Sequence, residues 1–311
     1  MLKARIITAL ALLMLFIPAL LNPVHEYWWS LTLVLMVLAA WEWGRAVLAR
    51  AMSPSHAHEP AAPSAVSSSS LPLPSVEVSA PHALLGYALG TATALVGWGI
   101  WQQLGFAAFP QAASWLLGGL WLYFFSFLFW GGAVRWARVP LGLKAWGGWC
   151  VLVGTWWSIA VAKEVGSGFL LSVLCVVWVA DVAAYFGGKA FGRHKLAPVL
   201  SPGKTWEGVA SGLMGVYLLA YAWLNCAVFQ ELGADSVFAL LSSQGLGVSA
   251  MGLAVLVMFS VMGDLFESMV KRSAGIKDSS HLLPGHGGVL DRVDALLPTL
   301  PLAVTMLTWF R

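Results

Sequence analysis

Apolar runs of membrane-spanning length recur along this chain, at 6–21, 27–43, 83–104, 112–130, 145–162, 168–186, 209–229, 247–270 and 296–310. About 20 apolar residues in a helix span the hydrocarbon core of a bilayer. A soluble protein of this size buries a core without repeating such runs, and 59% of these residues are hydrophobic. The expected fold is therefore all-α: a polytopic integral membrane protein with about nine transmembrane helices. The start, MLKARIITALALLMLFIPALL, has the basic-then-apolar look of a secretory leader. Its apolar run is longer than an ordinary leader's and shows no convincing cleavage site, so it is read as the first membrane helix.

The basic residues give the chain an orientation. With the N-terminus cytoplasmic and nine crossings, fifteen of the 17 Lys and Arg residues fall on the inner side, and only Lys163 and Arg311 fall outside. The positive-inside rule supports both the orientation and the count. Aromatic residues flank the second run, Tyr27, Trp28 and Trp29 at one end and Trp41 and Trp43 at the other, as an interfacial belt would. Gly118 and Gly119 in the fourth run suit close helix approach. The sequence divides into two helices over 1–48, a flexible Ala/Pro/Ser-rich linker over 49–82, and a seven-helix region over 83–311. His56 and His58 lie in that linker and are read as a solvated pair. Cys150, Cys175 and Cys226 are scattered in apolar runs and are expected to be buried thiols. No concentrated basic face suggests a nucleic-acid partner.

Against this apolar background, 263–294 reads GDLFESMVKRSAGIKDSSHLLPGHGGVLDRVD and carries nine charged residues in a chain only 10% charged. Ionisable groups at membrane depth mark candidate sites. Asp264 sits inside VLVMFSVMGDLFESMV, where a lipid-facing carboxylate is costly. It calls for a protein-lined cavity, a cation or a metal, with a helix–helix hydrogen bond as the alternative. Glu267 with Lys271, and Asp264 with Ser268, are four apart and share a helical face. Asp291 and Asp294 follow His286–Gly287–Gly288; with Asp264 they could hold Mg²⁺ through carboxylate oxygens and phosphate. His281 and His286 lack the partners of a zinc pair.

A second polar stretch, 187–208, reads GGKAFGRHKLAPVLSPGKTWEG. Lys189, Arg193, His194, Lys195 and Lys204, beside Ser201, Thr205 and glycine amides, suit a phosphate-bearing substrate. Plain positive-inside anchoring is the alternative for Lys189, Arg193 and Lys195. Gly203–Lys204–Thr205 is not the end of a P-loop, because Pro198 stands where that motif needs its first glycine. Asp181, late in the sixth run, could face Lys204, a metal or only a helix contact. The residues thus describe a membrane enzyme acting on a phosphorylated, nucleotide-like substrate at the cytoplasmic face. A transporter of an anionic solute is the alternative from another class; it is disfavoured because the charges gather at one face rather than at midplane.

Ser268, Lys271, Arg272, Lys277, Asp278, then Pro284–Gly285–His286–Gly287–Gly288 and Asp291, Arg292 and Asp294, resemble the defining motif of the phosphatidate cytidylyltransferase (CDP-diacylglycerol synthase) family. Ser201–Pro202–Gly203–Lys204–Thr205–Trp206–Glu207–Gly208 resembles its second common motif, with Gly203 where relatives often have Lys or Asn. Trp178, Asp181, Ala184, Tyr185, Gly187, Gly192 and Pro198 also fit. The resemblance is specific over 178–294 and only hydropathic before it.

The resemblance implies the reaction of CTP with phosphatidate drawn from the bilayer, giving CDP-diacylglycerol and pyrophosphate in phospholipid biosynthesis. It implies Mg²⁺, in many members with a second cation, and a homodimer as a frequent form. On this basis Asp264, Lys204, Lys277 and Asp291 are the candidate catalytic residues. Ser201, Lys204, Thr205, Lys271, Arg272, Lys277, His286 and Arg292 are candidates for substrate binding, and Asp264, Asp291 and Asp294 for metal, with Asp278 in support. A CTP-dependent transferase acting on another lipid phosphate is the nearest alternative. A multi-pass protein of a bacterial inner membrane, with its site on the cytoplasmic side, fits this reading.

Overall fold

The computed structural model describes residues 2–48, 80–103, 110–226 and 235–310. The linker read at 49–82 lies almost wholly outside the described residues, as do His56 and His58. Each of the nine apolar runs holds one helix: α1 (Leu2–Leu21), α2 (His25–Leu48), α3 (Ala80–Gln103), α4 (Gln111–Phe129), α6 (Leu141–Val165), α7 (Ser167–Phe191), α8 (Trp206–Asn225), α10 (Leu246–Ser273) and α12 (Leu296–Phe310). Between them lie three short helices, α5 (Gly132–Ala137), α9 (Val237–Ser242) and α11 (Leu290–Val293). The fold is all-α and polytopic. Seven helices, α2, α3, α4, α6, α7, α8 and α10, are long and apolar enough to cross a membrane. The apolar part of α1, Leu10–Leu21, and α12 are shorter.

An unexpected feature is a small antiparallel hairpin, β1 (Lys195–Ala197) with β2 (Ser201–Thr205), pairing Lys195 with Thr205 and Ala197 with Ser201. It lies within the second polar stretch, where no apolar run demands a helix. It ends at Thr205, whose hydroxyl accepts the Gly208 N–H and starts α8.

Small residues set the closest helix pair. α7 and α8 approach along Gly208, Gly212 and Gly215 of α8. A β-carbon at Gly212 would stand 2.8 Å from the Ala180 carbonyl oxygen, and one at Gly208 2.9 Å from that of Ala184. This is the small-residue contact that helices in lipid use to gain packing where the hydrophobic effect does not join them. Gly118 and Gly119, expected to serve that purpose, face open space. The resulting α7–α8 pair holds the hairpin between its ends and so fixes Lys204.

α2 is packed against both α3 and α6. This placement corrects the aromatic-belt reading: Trp28 and Trp43 are both buried, whereas Tyr27 remains exposed. Trp43 donates its indole N–H to the Lys144 carbonyl at 3.0 Å and stacks on Phe266 of α10. Phe266 in turn stacks on Phe124, with ring centroids 4.7 Å apart, and meets Trp121 and Trp136 edge-on. A β-carbon at Gly148 would overlap the Trp43 indole. Gly148→Ala is therefore expected to lower stability by about 1–3 kcal/mol through overpacking. A thermal melt in detergent that matches the wild type would contradict that packing. The cysteines are free; Cys150 and Cys175 are half-buried, but Cys226 is exposed just past the end of α8, against the expectation of three buried thiols.

Candidate active site

The last turns of α10 bring Asp264, Glu267 and Lys271 onto one face, since residues three and four apart stack along a helix. Lys271 Nζ lies 2.5 Å from Glu267 and 2.6 Å from Asp291. Ser268 donates to Asp264 at a long 3.4 Å. The chain then leaves the helix through 274–289 and returns in α11, which carries Asp291.

Asp291 is the hub of that loop. Its Oδ1 receives Lys271, and its Oδ2 receives the Ser279 N–H at 3.0 Å, the Ser279 hydroxyl at 3.1 Å and the Gly288 N–H at 2.8 Å. Burial opposes its ionisation, but hydrogen bonds with Glu267, Lys271 and the Gly288 N–H outweigh this and hold its carboxyl below the usual range. Gly287 makes the turn possible. Its φ is +83°, and a β-carbon there would stand 2.6 Å from Asp291 Oδ2.

The hairpin supplies the facing wall. Lys204, on β2, places Nζ 2.6 Å from Asp264 Oδ2 and joins the two polar stretches. Glu207, in the first turn of α8, accepts the N–H groups of Arg193 at 3.1 Å and His194 at 3.2 Å, and lies 2.6 Å from the His194 ring. It ties the entry to the hairpin back onto the helix.

Electrostatically the site is short of positive charge. Asp181 feels the charges of Lys204 and Asp264, and Asp294 those of Asp264, Lys204 and Lys271. Asp181, Asp264, Glu267, Asp291 and Asp294 thus share two ammonium groups, those of Lys204 and Lys271. Burial, and then the Asp264 carboxylate, push the Asp294 carboxyl up to about 8, so this site retains a proton at neutral pH. A dication would relieve the same excess. Among the described residues no group of three or more His, Cys, Asp or Glu side chains is arranged to hold a metal ion. Such a site does not fit a resident all-protein cage. It fits magnesium, which one or two carboxylates share with substrate phosphates and water. Asp264 is half-buried and held by one lysine, and its charge acts on Asp294. Asp291 is already engaged by four donor groups.

The chain matches the model of the cytidylyltransferase family over residues 3–310. The chain belongs to the cytidylyltransferase family. It is 42% identical over 181 residues to the phosphatidate cytidylyltransferase of Pseudomonas aeruginosa, covering 58% of this chain and 59% of that one. It is 46% identical over 136 residues to that of Haemophilus influenzae, 44% of each chain. To that of Mycobacterium leprae it is 39% identical over 160 residues, 51% of this chain and 47% of the other. These matches span about half the length of the curated relatives.

In this cytidylyltransferase-family chain the structure brings Lys204, Asp264, Lys271 and Asp291 together by direct contacts. Arg272, Lys277 and Arg292 are exposed, and Ser201 is half-buried. His286 is half-buried, and its Nδ1 makes no hydrogen bond among the described residues. Thr205 is buried, and its hydroxyl is engaged as the cap of α8. Asp278, exposed, lies beside the Gly287 turn. Sequence reasoning passed over Glu42, Ser279 and Ser280, all buried and all bonded within this loop. For Glu42 a signal was present: it is a lone carboxylate in AAWEWGR, in an apolar run, the same anomaly that marked Asp264.

Proposed function

We propose that this chain transfers the cytidylyl group of CTP to the phosphate of phosphatidate, releasing pyrophosphate and forming CDP-diacylglycerol. The observation that carries the reading is the Lys204–Asp264 contact, which joins a basic, hydroxyl-bearing hairpin to the acidic face of a membrane helix. The names of the relatives agree with it. The same proposal has the protein in a bacterial inner membrane, crossing it nine times from a cytoplasmic N-terminus, with the site on the cytoplasmic side. There CTP is available from water and phosphatidate from the bilayer. A homodimer is the proposed assembly.

In the reaction an ionised phosphatidate oxygen forms a bond to the α-phosphorus of CTP. The bond from that phosphorus to the bridging oxygen breaks, and pyrophosphate departs with the electron pair. The nucleophile is already an anion, so no strong base is required. The work falls to positioning and charge neutralisation. Magnesium, held by Asp264 and Asp294 together with phosphate oxygens, would supply positive charge to the phosphoryl oxygens. Lys204, on the hairpin facing Asp264, binds a CTP phosphate. Lys277, Arg272 and Arg292 hold the remaining phosphates. Lys271 keeps Asp291, and through it the loop carrying His286, against α10.

Purified protein in detergent tests this directly, because without sealed compartments a transporter has no measurable turnover. Pyrophosphate release that needs CTP, phosphatidate and Mg²⁺ together is the expected result. Folded protein that releases none with phosphatidate, but does so with another lipid phosphate, would replace the acceptor. Release with no lipid acceptor would overturn the reading.

A further inference from the structure

The residues bonded to Glu42 lie more than 230 positions further along the chain. Glu42, on α2, is fully buried. Its Oε1 accepts the Ser280 hydroxyl at 2.5 Å and the Val289 N–H at 3.0 Å. Its Oε2 accepts the Ser279 hydroxyl at 3.0 Å and the Leu290 N–H at 2.7 Å. One carboxylate thus fastens both ends of the segment that carries His286 and the glycine turn. Ser279 has a single hydroxyl proton between two carboxylates, Glu42 and Asp291, while its N–H donates to Asp291. Glu42 therefore reaches Asp291 through one intervening residue. There is no spare room around it: a β-carbon at Gly288 would overlap the Ser279 hydroxyl and stand 2.5 Å from Glu42 Oε1.

We infer that Glu42 is a positioning residue for the transfer reaction, holding the 279–290 loop in the register that sets Asp291 against Lys271; this rests on the function proposed above. Stability alone gives little reason for a carboxylate here, since removing charge from water is costly and an apolar side chain of similar volume often serves as well. Its geometry is also one that only a carboxylate satisfies. Each oxygen receives one hydroxyl and one backbone N–H. A glutamine has one accepting oxygen, so its amide NH₂ must face the Val289 or the Leu290 N–H, donor against donor. A hydroxyl can turn to accept; a backbone N–H cannot. One end of the loop is then released.

The experiment uses the full chain in detergent as wild type, Glu42→Gln, Ser280→Ala and the double variant. Rates are expressed per folded molecule, and backbone hydrogen exchange is followed by mass spectrometry. Glu42→Gln is expected to lower kcat about 100-fold, the order of loss that an ångström of misplacement brings. Ser280→Ala, which removes one charge-assisted bond and disturbs the fold least, is expected to lower it about tenfold. The double variant should be no slower than Glu42→Gln alone, because both changes cut the same tie. Exchange should rise across 279–291 in both single variants and stay unchanged in α7 and α8. A merely structural Glu42 predicts a lower melting temperature with kcat and KM per folded molecule unchanged, and that result overturns the inference. So does multiplicative loss in the double variant. Should Glu42→Gln not fold, Ser280→Ala decides alone, by its kcat and its loop exchange. An inactive wild type would count against the proposed reaction instead. The loop would then be judged by exchange, and no rise across 279–291 would overturn the tie.

Discussion

Asp264→Asn is expected to lower kcat by roughly 10³, with the protein still folded and inserted, on the scale of losing one preorganised charge at a reacting phosphoryl group. The substitution keeps the side chain's shape, so the helix face and the Ser268 contact survive. Among the described residues, it removes the one carboxylate in direct contact with Lys204. It also removes the charge that most favours a dication beside Asp294. Both consequences fall on the chemical step. Steady-state rates with saturating CTP and lipid, on protein shown to be monodisperse, measure it. A folded Asp264→Asn variant with a near-normal rate would remove Asp264 from the mechanism.

Lys271→Met should act mainly on stability. Its ammonium lies between Glu267 and Asp291, whose side chains are only 4% and 6% exposed. The methionine fills similar space but leaves two carboxyls without their cation. Removing one member of a buried ionic group typically costs about 3–5 kcal/mol, because the stranded charge has no water to return to. A denaturation midpoint in mixed micelles reads this loss. Glu267→Gln added to Lys271→Met should recover part of it, since it removes one of the two stranded carboxyls, and the pair should therefore be clearly non-additive. A single variant as stable as the wild type would show that the three groups are not coupled.

The helices were legible in the sequence because lipid allows few solutions: each of the nine apolar runs contains one helix, and the break before α12 falls at Leu296 as read. The two polar stretches were legible for the converse reason, since charge at membrane depth needs a partner, and the structure joins Lys204 to Asp264. What stayed hidden depends on which faces meet. Gly118 and Gly119 have the composition of a close contact, but a β-carbon at either would meet nothing within 4 Å among the described residues, while Gly208 and Gly212 make the contact. Trp43 looked like an interfacial anchor and proves to be core, because α6 and α10 pack over it. The hairpin over 195–205 follows from a short polar segment whose pattern is too brief to read as strand. Glu42 is the instructive omission: its partners lie more than 230 residues away, so spacing could not reveal them, although its isolation in an apolar run could have prompted the question.

Cytidylyl transfer is tested most simply by following CTP labelled at its α-phosphate with purified protein, phosphatidate and Mg²⁺. Label is expected to enter the lipid extract as CDP-diacylglycerol, one equivalent for each pyrophosphate released, with neither product formed without Mg²⁺. Label recovered only in water, as CMP from hydrolysis or as CDP from γ-phosphate transfer, would contradict cytidylyl transfer to phosphatidate.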